Sequence, residues 1–164
     1  MAIQQVAVER ISMVSSRTFA EVLHAIDAVV GHPDMREFGM KVGQARSWQE
    51  LEEVIDGFLG PSGFMEFTRF NMGQILSKEL GPAAPKIVRL VIGNPLVMKR
   101  MAEHVHEAAS YAPVTILLDE RPDGVHVSYD RMASFLSPYD NLAALTVARE
   151  LDAKVEALIT AAAS

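Results

Sequence analysis

At 164 residues the chain fits one domain, long enough to bury about 68–70% of its unfolded surface in a core. Hydrophobic residues make up 49% and charged residues 22%, and there is no Cys, which excludes disulfides, thiolate metal sites and a Cys nucleophile. The net charge of −6 and the lack of any Lys/Arg run beyond Lys99-Arg100 argue against nucleic acid as a partner.

In chain order, 4–14 alternates as a first strand, with Val6, Val8, Ile11 and Met13 turned inward. Thr18 and Glu21 have capping-box spacing. They open a helix whose apolar face is Phe19, Val22, Leu23, Ile26, Val29 and Val30, and Gly31 marks its end. The stretch 32–46 begins with a His-Pro-Asp turn and leaves room for a short strand. Ser47 and Glu50 repeat the capping spacing ahead of a helix with Trp48, Leu51, Val54, Ile55 and Phe58 on one face. Gly60 to Gly63 breaks the chain before a strand over 64–71 and a short helix over 72–80.

Residues 86–92 are nearly all apolar, which predicts a strand buried on both faces. A helix is predicted over 95–106 and a strand over 113–118. The turn Asp119-Glu120-Arg121-Pro122-Asp123-Gly124 leads to a partner strand over 125–129. Asp140 or Asn141 caps a long last helix with Leu142, Leu145, Ala148, Leu151, Val155, Leu158, Ile159 and Ala162 at helical spacing. These elements predict one α+β domain over 1–164, with a mixed or antiparallel sheet packed against helices and a long C-terminal helix.

The strand ending in Gly93-Asn94-Pro95, the helix after it, Pro113 eighteen positions beyond Pro95, and the hairpin ending in Ser128-Tyr129 carry a resemblance. This pattern resembles the domain-of-unknown-function 302 family. The segment near 41–63, with the Trp48 helix, looks like an insertion relative to that family. The resemblance implies a compact α+β fold, a homodimer and no established activity.

Gly93, Asn94, Pro95 and Tyr129 are the candidate ligand-binding residues. A strand end facing a helix N-terminus is where ligands settle in open α/β sheets, and Asn94 carries both a donor and an acceptor. Competing with this, Asn94 caps the helix with Pro95 at its first position, and Tyr129 is a buried ring whose hydroxyl needs a partner. Met98, Met101 and His104 lie at three-residue steps and form a candidate copper or haem ligand set, against which Met101 also suits a core position. His126, Ser128 and Asp130 are the components of a triad, yet one strand face holds them about 6–7 Å apart, too far for proton transfer between them. The acidic group Glu50, Glu52, Glu53 and Asp56 reads as a solvated helix face.

The sequence therefore points to a non-catalytic small-ligand-binding or sensory module, homodimeric, with no cofactor identified. The alternative is a metal- or haem-binding protein using the Met/His set, and the third reading is an enzyme acting through His126 or Tyr129. The start, MAIQQVAVER, has no signal-peptide pattern, and no apolar run reaches membrane-spanning length, so a cytoplasmic location and no membrane partner are expected.

Overall fold

The computed structural model describes every residue except Ala2. Five strands form a single sheet: β1 (Arg10–Ser15), β2 (Met65–Asn71), β3 (Ile87–Gly93), β4 (Val114–Arg121) and β5 (Gly124–Asp130). Their order is β1-β5-β4-β3-β2, and every neighbouring pair is antiparallel. The helices are α1 (Phe19–Asp27), α2 (Met35–Gln44), α3 (Trp48–Asp56), α4 (Gly73–Leu80), α5 (Pro95–Ala102), α6 (Ala108–Tyr111), α7 (Met132–Leu136) and α8 (Leu142–Ala163). The result is the α+β domain with an antiparallel sheet and a long C-terminal helix. No helix of the described residues is long and apolar enough to cross a membrane.

One sheet face carries the core. Val88, Leu90 and Ile92 of β3 stand beside Leu118, Ile116 and Val114 of β4, which in turn neighbour Val127 and Tyr129 of β5. Helix α8 covers this face and packs against α1, α5 and α7. Its buried residues include Ala148, Leu151, Val155 and Ile159. The other sheet face has no helix laid over its centre and presents Arg89, Val91, Leu117 and Ser128.

Several expectations change here. Strand β3 is buried on one face only, because an antiparallel sheet with helices on one side leaves Arg89 exposed and Val91 half-buried. The first strand starts at Arg10, not at residue 4. Residues 35–44 are helical rather than extended; Asp34 caps them by accepting from the backbone N–H of Arg36 and Glu37 (2.8 and 3.0 Å). That helix buries no residue fully; Met35, Phe38 and Val42 give it a short apolar stripe, and Phe38 packs edge-on against Phe58 and Phe67. Gly31 does not terminate α1, which ends at Asp27. The helix after Asn94 stops at Ala102, which leaves His104 and His106 beyond it. In α8, Leu142 is exposed while Ala144 and Val147 are buried.

Candidate functional site

The site begins where β3 ends. Asn94 Oδ1 accepts from the Leu96 backbone N–H (2.8 Å), the N-cap role, and Pro95 takes the first helical position of α5. Asn94 Nδ2 donates to the Gly63 carbonyl (3.1 Å), tying the start of α5 to the loop before β2. Both ends of the amide are thus engaged in holding the strand–helix junction. Gly93 permits close approach: a Cβ there would stand 3.1 Å from Pro113 Cβ and 3.5 Å from Phe67 Cε2. The Ala112–Pro113 peptide bond is cis.

These contacts frame a cavity of about 110 Å³. Gly93, Asn94 and Pro95 meet Phe67, Met98 and Met101 around it, with Pro113 and Leu151 closing its sides. Its walls are apolar apart from the engaged Asn94. An engineered cavity of about 150 Å³ with similar walls stays dry and takes up benzene or xenon, so the volume suits a molecule of that order. Met101 is fully buried and Met98 half-buried. Both thioethers belong to this cavity, whereas His104 does not line it; its side chain is 41% exposed beside Glu103 (3.8 Å).

Tyr129 lies elsewhere. Its ring is buried in the core, and its hydroxyl donates to Asp152 Oδ1 of α8 (2.6 Å). The same carboxylate accepts the backbone N–H of Met132 (2.7 Å) and of Ala133 (3.1 Å), so Asp152 caps α7 from another helix. Burial, reinforced by the neighbouring carboxylate, pushes the Tyr129 phenol well above its ordinary value. Burial also raises the Asp152 carboxyl, against the pull of its three hydrogen bonds. The core-facing register of Asp152, four after Ala148 and three before Val155, was the sequence signal for this buried acid.

His126, Ser128 and Asp130 share the helix-free face but do not form a relay. His126 is buried, and its Nε2 contacts Asp123 Oδ1 (2.9 Å) across the hairpin turn. Asp130 takes both arms of Arg10, at 2.6 and 2.8 Å. A further cluster carried no motif: ligating atoms of Asp27, His32 and Glu66 lie within 4.8 Å of one another. Arg69 reaches Asp27 at 2.5 Å and Glu66 at 2.6 Å. Burial works to lower the Arg69 pKa, but bonds to these two carboxylates outweigh it and hold the guanidinium above its ordinary value. That cation already balances the acids.

The fold and the strand-end cavity define a class of small α+β domains with one helix-covered antiparallel sheet. The crystal structure of uncharacterized conserved protein DUF302 from Bacillus stearothermophilus has this fold, with a TM-score of 0.65 over 93% of this chain and 97% of that one. At 10% identity the likeness speaks for the fold alone. No curated protein matches. The family profile "Domain of unknown function DUF302" matches residues 38–162, and the chain belongs to that family.

Proposed function

We propose that this protein is a non-catalytic small-ligand-binding or sensory module that acts as a homodimer. The observation that carries the reading is the apolar cavity between Gly93, Met98, Met101 and Phe67, held open by the Asn94 cap and the Gly93–Pro113 contact. A preformed apolar hollow with few polar groups is what a small-molecule site needs. Its modest volume selects a compact apolar or aromatic molecule. Groups that would serve a reaction are engaged structurally instead: the Tyr129 hydroxyl with Asp152, and His126 with Asp123. Toluene is a suitable probe. It should raise the melting temperature of the wild type in a saturable way, and Val97→Phe, which puts a ring at the cavity wall, should abolish that rise. An equal rise in both proteins would refute the reading.

Dimerisation is supported by the edge of the sheet at β2 and by the helix that follows it. Phe70, Met72, Ile75, Leu76 and Leu80 are all exposed there, with Ile75 at 66%. A cluster of large apolar side chains beside an unpaired strand edge is a surface that calls for cover. Light scattering at micromolar concentration should give a dimer for the wild type and a monomer for Ile75→Glu. A wild-type monomer would remove the dimer from the reading.

A further inference from the structure

A second, larger hollow lies on the other side of Pro113, where the open face of the sheet meets α6 and α7. Its volume is about 420 Å³, within the range of small-molecule sites. The floor follows from strand register. Arg89 of β3, Leu117 of β4 and Ser128 of β5 form one cross-strand row, and Thr115 stands in the next. The wall is aromatic: the rings of Tyr111 and Phe135 stack with centroids 4.8 Å apart and planes 14° apart.

Charge decides what this hollow accepts. Arg10 and Asp130 both line it, but they neutralise each other through a two-armed ion pair. Arg89 has no carboxylate partner among the described residues. Its Nη2 touches Thr115 Oγ1 (3.3 Å), and its guanidinium lies 5.7 Å from the centre of the Phe70 ring. The hydroxyls of Ser110 and Ser128, also in the lining, make no hydrogen bond to other side chains or backbone among the described residues. The hollow thus combines one cation without a carboxylate partner, whose fork matches a carboxylate, two further hydroxyls in its lining, and a stacked aromatic pair.

We propose that this groove is a binding site for a small aromatic carboxylate, its anionic end on Arg89 and its ring against Tyr111 and Phe135. This site is separate from the apolar cavity on the far side of Pro113, and neither depends on the other. Aromatic contact with the Tyr111–Phe135 pair holds the ring, and the guanidinium beside Thr115 supplies selection for charge.

Calorimetric titration of the full chain with sodium benzoate tests the assignment. The wild type should bind benzoate saturably, and should bind benzamide and acetate at least tenfold more weakly, because each lacks one half of the recognition. Arg89→Gln, at an exposed position, should keep the wild-type melting temperature and lose at least tenfold in benzoate affinity. Val97→Phe should bind benzoate as the wild type does, which separates this groove from the apolar cavity. No saturable heat up to about 10 mM, where even a millimolar complex would saturate, would overturn the proposal. So would unchanged binding in Arg89→Gln, or a loss confined to Val97→Phe. A protein silent to benzoate whose dimer dissociates in Arg89→Glu would place a second copy on this face and equally overturn it.

Discussion

Replacing Asp152 with Ala should cost about 4 kcal/mol: the Tyr129 hydroxyl and the Ala133 N–H lose their acceptor, the Met132 N–H keeps only its longer contact to the Tyr129 hydroxyl (3.3 Å), and each orphaned donor costs on the order of 1–3 kcal/mol. In a domain of this size that corresponds to a fall of roughly 10 °C or more in melting temperature. The effect is large because the carboxylate joins three elements: the Tyr129 hydroxyl from β5, the Met132 and Ala133 backbone from α7, and its own helix α8. Asp152→Asn keeps an acceptor and should cost far less. The two variants also differ in pH response. The folded carboxyl is raised above its unfolded value, so more protons are bound in the folded state. Stability contributed through Asp152 is therefore fullest below the ordinary carboxylate pKa and is lost as pH rises through the raised folded value. Asp152→Asn should abolish that slope in thermal unfolding measured across the acid range. A slope that persists in this variant would assign it to other carboxylates.

Gly31→Ala should be nearly as damaging, at about 3 kcal/mol. A Cβ on Gly31 would fall 2.1 Å from the Phe58 carbonyl oxygen and 2.9 Å from the Gly60 nitrogen, both backbone atoms with no side-chain freedom to yield. Such overpacking costs about 1–3 kcal/mol and occasionally more. The position matters because Gly31 and Gly60 both donate to the Phe64 carbonyl (2.9 Å each), and Glu66 donates to the Gly31 carbonyl (2.8 Å). This junction fixes the start of β2, and with it Phe67 on the cavity wall. Gly60→Ala should destabilise in the same way, because its Cβ would sit 2.5 Å from Gly31 N and Val29 O. Chemical denaturation of both variants checks this. A loss below about 1 kcal/mol in either would mean that the 58–60 segment can shift to make room.

The capping signals were the most legible part of the sequence. Thr18 and Glu21 form both halves of the box, with the Thr18 backbone N–H donating to Glu21 (2.8 Å) and the Glu21 N–H donating to Thr18 Oγ1 (3.3 Å). Ser47 forms only half of its box, because Glu50 accepts from the Arg46 N–H instead. The hairpin turn fell at Pro122-Asp123, between paired Arg121 and Gly124. What escaped was whatever depends on tertiary context. The apolar run 87–92 has a buried face and an open face, and only the layering of helices decides which. Helix α2 carried a readable cap, Asp34 with Glu37 three residues on, but its apolar stripe is short and two glycines, Gly39 and Gly43, interrupt its helical pattern.

The candidate site was legible to a similar degree. Gly93, Asn94, Pro95, Met98 and Met101 lie around one cavity, since a strand stop and the first turns of the following helix are close in sequence. Tyr129 is absent from it, because its partner Asp152 lies 23 residues along the chain and no local pattern links them. The groove over Arg89 needs three strands in register and a wall from two more helices, so its residues share no motif.

The most direct test of ligand binding at the strand-end cavity is a methyl-NMR titration of the methionine-labelled protein with toluene. Met98 and Met101 should shift saturably while methionines remote from the cavity stay still, and Val97→Phe should erase the response. Shifts spread over all methionines without saturation, or a response retained in Val97→Phe, would contradict a ligand site there.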